Sequence, residues 1–353
     1  MRILLATDAW SPQINGVVRT YQRLQAELKR MGCELAVLGP GSFRCVPCPS
    51  YPEIGLALPN LKLCADLIEA AQPDAIHIAT EGPVGWMARR YCTQRRLPFT
   101  SSFHTRFADY ISARWPIPEA LVYALQRRFH QRSAGVMVAT HSLAADLSVR
   151  GFQRLMPWTR GVDTELFRPR AARLFGDGPV FLYVGRVAVE KNIEAFLALD
   201  LPGVKVVVGD GPQLGELRAR YSDVIFTGVR EGEGLAECYA SGDVFVFPSL
   251  TDTFGMVMLE AMASGVPIAA FPAIGPKDLV TPGVSGVLSH DLGAAARSAL
   301  SLDRAAVREA ALAFTWQAAA KLFLSNIDSA RANARGRGAP ASLGVKLARP
   351  RSV

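Results

Sequence analysis

Short runs of consecutive apolar residues, many of them β-branched, alternate along this chain with longer segments whose apolar positions recur at helical spacing. In the first half the runs are RILLAT, ELAVLG, DAIHIAT, PFTSSFH and GVMVAT; in the second they are PVFLYVG, VKVVVG, VIFTG, DVFVFP and VPIAAF. They are too short for core helices and lack the alternation of a strand with one wet face, so they predict parallel strands buried on both sides. The intervening segments read as helices. VVRTYQRLQAELKRMG carries the helical period and stops at Gly32, and EGLAECYASG and TWQAAAKLFLSNI follow the same rule. Strand and helix therefore alternate through two consecutive halves. The expected fold class is α/β, with two Rossmann-like domains facing across a cleft. The expected boundaries are 1–165 for the first domain, 166–314 for the second, a helix over 315–330 and a basic tail over 331–353. That tail is rich in Arg, Gly, Ala and Pro and is expected to be disordered. FRCVPCPSYPEIGLALP is too punctuated for regular structure and is expected to be a loop walling an acceptor.

Candidate chemistry concentrates at the ends of the predicted strands, where ligands of open α/β sheets bind. DVFVFP runs into SLTDTFGMVMLEAMASG, a turn followed by a helix whose neighbours to Glu260 are apolar all round. An ionised carboxylate on so apolar a helix needs a strong partner, and the hydroxyl pair of a ribose would serve. The plainer alternative makes Asp252 an N-cap and pairs Glu260 with an internal Arg. In GRVAVEKN, Arg186 and Lys191 can close on one pyrophosphate, the first as a fork and the second as a point charge. Gly16, where the first loop turns into its helix, leaves room for a ligand. That loop lacks GxGxxG, so a dinucleotide is not expected. His104 follows PFTSSF at a strand end and suits polar chemistry, whereas His77 reads as a supporting residue.

Asp252 and Glu260 stand eight positions apart ahead of ASG, and this resembles the E-x7-E signature of glycosyltransferase family 4, retaining enzymes of the GT-B fold. Asp in place of the first Glu, within TDTFG, is similar to a subgroup that includes sulfoquinovosyl diacylglycerol synthases and mannosyltransferases acting on lipids. INGVV around Gly16, FHT at His104, GVD at Asp163 and the G-R-x4-K loop at Arg186 and Lys191 extend the likeness over nearly the whole chain. The resemblance implies a donor held by Gly16, Arg186, Lys191, Asp252 and Glu260, and by the helix start at Phe254, Gly255, Met256 and Val257. Asp252 would hold the transferring sugar and Glu260 the ribose. His104, with His77 and Arg106 on the acceptor side, would line the other wall. Asp163 would act as a hinge or hydrogen-bonding residue. The helix over 315–330 would cross back onto the first domain. A UDP- or GDP-sugar is the expected co-substrate, and no other cofactor and no metal is expected, since no D-x-D occurs. A nucleotide-sugar epimerase or a non-catalytic sugar-nucleotide binder are the other classes open to such a chain.

Charge refines the partners. The net charge of +8 divides into +6 over residues 1–165, −4 over 166–330 and +6 over 331–353. A basic first half without nucleic-acid motifs suggests an anionic membrane surface, and together with the TDTFG resemblance it favours a lipid acceptor such as diacylglycerol, a soluble sugar or glycan being the alternative. RFADYISARWPIPEALVYALQRRFHQR interleaves Arg106, Arg114, Arg127, Arg128 and Arg132 with Phe107, Tyr110, Trp115, Tyr123 and Phe129, as a helix pair on anionic headgroups would. A solvated face over an aromatic core is the other reading of that run. The amino terminus reads as a first strand and not a signal peptide, so the protein is expected in the cytoplasm, with peripheral association on the membrane's inner face as the variant that a lipid acceptor implies. The six cysteines, CxxC at Cys45 and Cys48 included, match no zinc spacing and are expected to be unpaired.

Overall fold

The computed structural model describes residues 1–13, 15–48, 51–112 and 116–335. In the first half the order is β1 (Arg2–Ala6), α1 (Gly16–Arg30), β2 (Glu34–Leu38), β3 (Cys45–Cys48), β4 (Tyr51–Ala57), α2 (Leu61–Ala71) and β5 (Ala75–Ile78). It continues with α3 (Pro83–Gln94), β6 (Thr100–Phe103), α4 (Phe107–Ser112), α5 (Glu119–His130), β7 (Gly135–Val138), α6 (His141–Val149) and β8 (Leu155–Pro157). The second half opens with β9 (Val180–Val184), α7 (Glu194–Leu197), β10 (Val204–Val208), α8 (Leu214–Arg220), β11 (Ile225–Gly228), α9 (Gly232–Ala240) and β12 (Val244–Phe247). Then come α10 (Met256–Ala263), β13 (Ile268–Ala270), α11 (Pro276–Leu279), β14 (Gly286–Leu288), α12 (Leu292–Ala299), α13 (Arg304–Leu312) and α14 (Trp316–Arg335).

Each half folds around its own six-stranded sheet, in the orders β2-β1-β5-β6-β7-β8 and β11-β10-β9-β12-β13-β14, and every pairing within them is parallel. Burial on both faces explains the continuous apolar runs: β5, β7, β9 and β12 are buried at every position. In both orders the connection reverses direction beside the first strand, between β1 and β5 and between β9 and β12. Such reversals splay the loops apart at the carboxyl ends of the strands and open a crevice there. The candidate residues cluster on those loops.

α14 returns to the first sheet, as the family likeness implies. Phe323 and Ile327 are buried with Ile3, Leu5, Tyr21 and Trp158, and Trp158 Nε1 donates to the Ala319 carbonyl at 3.1 Å. Fully burying each such side chain contributes about 1.5–3 kcal/mol, enough to fasten the helix across the two halves. The helix runs on to Arg335 and not to residue 330, because ARANAR contains good helix formers and no Gly until Gly336. Residues 336–353 of the expected tail lie outside the described residues.

Two further expectations change. The segment expected to be a loop contains the antiparallel pair β3 and β4, with Cys45 opposite Ala57 and Pro47 opposite Gly55. A two-stranded ribbon has open edges on both sides, so Pro47 need not donate to a ladder. In the basic aromatic run, Tyr123 and Phe129 are core residues, as the reading of a solvated face over an aromatic core has it, while Phe107 stays exposed at 39% together with Leu121 and Leu125 of α5, at 65% and 55%. Arg114 and Trp115, and the side chain of Tyr110, lie outside the described residues. All six cysteines are unpaired.

Candidate active site

Two loops of the second sheet are bound together at its reversal point. After β9 the chain passes Arg186, whose side chain is exposed and whose carbonyl accepts from Tyr183 at 2.8 Å. A 3-10 turn over Val189–Lys191 then ends at Asn192 in the left-handed region, with φ 52°. Asn192 donates to the Pro248 carbonyl at 3.1 Å, and Thr251 donates to the Glu190 carbonyl at 3.0 Å. Between these ties Lys191 Nζ donates to Asp252 Oδ1 at 2.6 Å. Asp252 is therefore the partner of Lys191, and no side chain caps α10. Both groups keep about a fifth of their side-chain surface open, at 23% and 19%.

At the start of α10 Gly255 has φ +87°, and a Cβ there would stand 2.6 Å from Met258 Cε and 3.1 Å from Phe247 Cζ. Only glycine fits this corner. The backbone N–H groups of Met256 and Val257 begin the helix without a side-chain cap, which leaves donors and the positive end of the helix dipole for an anion. Phe254 is buried beneath them. One turn on, Glu260 is partly exposed and accepts from the buried Tyr239 hydroxyl of α9 at 2.8 Å. Burial raises the Glu260 pKa above its ordinary value, against the pull of the Tyr239 hydrogen bond and of Arg19 and Arg23. The internal Arg partner considered for Glu260 is thus a tyrosine.

The first half supplies the facing wall. Asn15 caps α1 by accepting from Val17 and Val18, both at 3.0 Å, and a Cβ on Gly16 would lie 3.6 Å from Met256 Cε. Thr20 Oγ1 approaches Met256 Sδ at 3.6 Å, and Thr253 Oγ1 donates to the His104 carbonyl at 2.7 Å. Arg23 pairs with Asp163 at 3.2 Å, while Asp163 accepts from Glu165 and Leu166 in the turn that leaves the first half. Gly16, His104, Lys191, Asp252 and the α10 start therefore meet at one seam.

His104 is largely engaged. Its Nδ1 accepts from Arg160 Nη2 at 3.2 Å, since a guanidinium can only donate, and its Nε2 lies 3.0 Å from the Tyr21 hydroxyl. Burial first, and then the Arg160 charge, holds its pKa well below the usual range, so the ring is neutral. Tyr21 continues to His77 Nε2 at 2.9 Å and to Ser102 Oγ at 3.1 Å, and His77 Nδ1 meets Thr100 Oγ1 at 2.8 Å. His77 is fully buried, its pKa depressed by burial to about 3, and it supports the site without reaching it. Arg106 pairs with α4, its Nε 2.9 Å from Asp109 Oδ2.

Sequence reasoning missed Tyr239, Tyr21 and Arg160. A buried tyrosine seeks a hydrogen-bond partner, which was the one signal for the first two. Arg160 is 3% exposed, stacked 3.9 Å from the Trp158 ring, and meets no carboxylate within ion-pair distance among the described residues. Burial lowers its pKa to about 10.

A Lys191–Asp252 pair, an uncapped helix start and a half-buried carboxylate in a cleft between two Rossmann-like domains fit a nucleotide-sugar-dependent glycosyltransferase of the GT-B fold. Residues 14–166 match the family model described as Glycosyltransferase Family 4, and residues 178–303 the one described as Glycosyl transferases group 1. The chain belongs to glycosyltransferase family 4. It is 30% identical over 316 residues to a GDP-mannose-dependent alpha-mannosyltransferase of Mycobacterium tuberculosis, covering 82% of this chain and 83% of that one. Identity to an alpha-monoglucosyldiacylglycerol synthase of Streptococcus pneumoniae is 27% over 347 residues, covering 85% and 78%. Sucrose-phosphate synthase from Thermosynechococcus elongatus has the same fold, with TM-score 0.74, 22% identity and coverage of 92% and 97%.

Proposed function

We propose that this enzyme is a retaining glycosyltransferase that moves a hexose or uronic acid from a UDP- or GDP-sugar to a hydroxyl of a membrane lipid such as diacylglycerol. The observation that carries the reading is the joint placement of Lys191, Asp252 and the α10 start, with Glu260 one turn behind. Arg186, Lys191 and the amides of Met256 and Val257 carry the charge that builds on the diphosphate as the bond from the sugar's anomeric carbon to oxygen breaks. Asp252 holds the sugar and Glu260 the ribose. The acceptor oxygen bonds to the anomeric carbon from the face the diphosphate leaves, and its proton passes to a diphosphate oxygen. His104 cannot act as a base in this scheme: Arg160 occupies its Nδ1, and its remaining proton-bearing nitrogen donates to Tyr21. It shapes the acceptor wall.

Similarity to a diacylglycerol glucosyltransferase supports a lipid acceptor. So does α5, where Leu121, Leu125 and Arg128 fall on one helical stripe and all three are exposed, with the exposed Arg132 in the turn that follows. Incubation with UDP- and GDP-sugars, with and without diacylglycerol, tests the function. A glycolipid whose anomeric proton has the donor's configuration is expected; an inverted product or transfer only to soluble sugars would refute the respective part. In flotation, the protein should rise with anionic vesicles, and Leu121→Asp with Leu125→Asp should lower the partition coefficient about a hundredfold, since two leucines insert about 3 kcal/mol of apolar surface. Equal flotation of the variant would clear α5 of this role.

A further inference from the structure

Helix α1 turns two cations toward the second half, and their partners hold them with unequal strength. Arg23 pairs at 3.2 Å with Asp163, a carboxylate that is 25% exposed and fixed by the backbone N–H groups of Glu165 and Leu166. Arg19, one turn earlier, reaches Glu231 at the head of α9, where the paired nitrogen and oxygen stand 3.6 Å apart. That distance is too long for a hydrogen bond. The Glu231 side chain is 61% exposed, and although Glu231 occupies the N-cap of α9 its carboxylate accepts nothing from the helix. An exposed pair of this kind contributes little, because water and salt screen it.

Arg19 stands in the first turn of α1, between Gly16 and Thr20, both of which adjoin Met256 at the α10 start. Its guanidinium ends at the loop after β11, beside Glu231. Burial raises the pKa of Glu260 and of the Tyr239 hydroxyl, and the Arg19 charge works against that rise at both. The side chain therefore spans the cleft between the α10 amides, assigned above to the diphosphate, and Glu260, assigned to the ribose.

Resting on the nucleotide-sugar reading, we propose that Arg19 is a donor-binding residue supplied by the first half, and that Glu231 competes with the donor's phosphates for it. A phosphate offers Arg19 a bidentate, charge-assisted contact in a cleft lined by both halves, whereas the pair with Glu231 is single, long and solvated. Binding the donor exchanges the weaker partner for the stronger. Arg23 stays with Asp163, which the turn leaving the first half holds in place. The two members of one ion pair then act on donor affinity in opposite directions. A plain latch between the halves would behave otherwise: removing either member would weaken closure, and donor binding would fall with both.

Calorimetric titration with UDP and with GDP, at mildly alkaline pH so that Glu260 stays ionised, reads the pair as a double-mutant cycle. Arg19→Gln should raise Kd for the nucleotide that the wild type binds by about tenfold, through the loss of a charged contact to phosphate. Glu231→Gln, a change on an exposed side chain, should lower the same Kd about threefold, the size of one exposed ion pair. In the Arg19→Gln background that gain should disappear. Glu233→Gln removes an equal charge from the first turn of α9, where Glu233 pairs with Arg170, and should leave Kd unchanged. A Kd that rises in both Arg19→Gln and Glu231→Gln would show a latch and overturn the competition. An unchanged Kd in Arg19→Gln would remove Arg19 from the donor site, and a Glu231→Gln gain that survives without Arg19 would reduce Glu231 to general repulsion. Wild-type protein that bound neither nucleotide would overturn the donor reading itself, and the proposal with it.

Discussion

Lys191→Ala should lower kcat/KM for sugar transfer by about a thousandfold while the melting temperature stays near that of the wild type. Losing one well-placed group that stabilises a developing anion costs about 10²–10³ in rate, and here the loss has a second part. Lys191 Nζ rests 2.6 Å from Asp252 Oδ1, so it neutralises a carboxylate that otherwise faces the incoming diphosphate. Removing the lysine leaves two anions opposed across the same seam, and the cost is lost attraction plus new repulsion. Asp252→Asn alone should slow transfer by removing the contact to the sugar. In the Lys191→Ala background the same change should instead recover part of the rate, about tenfold, since neighbouring charges are not additive. Steady-state kinetics on the four proteins of this cycle check the idea. Near-normal turnover of Lys191→Ala would remove it from the site, and additive effects would mean that the two side chains act on separate parts of the donor.

The strands were readable because parallel sheets covered on both faces need apolar residues at every position, as in the VFLYV of β9 and the VFVF of β12. The loops at their ends were readable for a related reason: Arg186, Lys191 and Asp252 are charges set just past buried strands, and Glu260 is the one charge on the apolar helix α10. What escaped was the pairing. Tyr239 lies on α9, 21 positions before Glu260, and Arg160 lies 56 positions beyond His104, separations at which no local spacing reports contact. The β3–β4 ribbon escaped because its prolines read as breakers, and a ribbon with two open edges tolerates them. Tyr123 and Phe129 were drawn to the membrane by composition, although an α5 with one covered and one open stripe must place its aromatics inward, Tyr123 against β6 and β7 and Phe129 among residues of β1, β5 and α3, and leave Leu121 and Leu125 out.

Glu260→Gln should weaken binding of the nucleotide sugar about a hundredfold, because a ribose hydroxyl pair would lose two hydrogen bonds to a charged acceptor, each worth about 1.5–3 kcal/mol. The same change should not cost stability. Burial raises the Glu260 pKa in the folded state, so the folded protein holds this proton more tightly than the unfolded chain. The group's contribution to stability is then fully present below the unfolded value and is lost as pH rises through the folded one. At neutral pH the ionised carboxylate is a liability that the amide lacks, and Glu260→Gln should melt no lower than the wild type, with Tyr239 still donating to it. Donor affinity runs the other way. The ribose needs the ionised form, so Kd for the nucleotide should worsen as pH falls, beginning above the pH at which an ordinary glutamate protonates. Tyr239→Phe removes the hydrogen bond that favours the carboxylate, and it should move this fall to still higher pH without touching Lys191 or Asp252. Calorimetric titration of UDP and GDP across acidic to neutral pH reads all three proteins. A wild-type Kd independent of pH, or a Tyr239→Phe profile that overlays it, would show that Glu260 binds no part of the donor, whereas a Glu260→Gln protein that melts lower would show that its charge is already compensated by Arg19 and Arg23 from the facing wall.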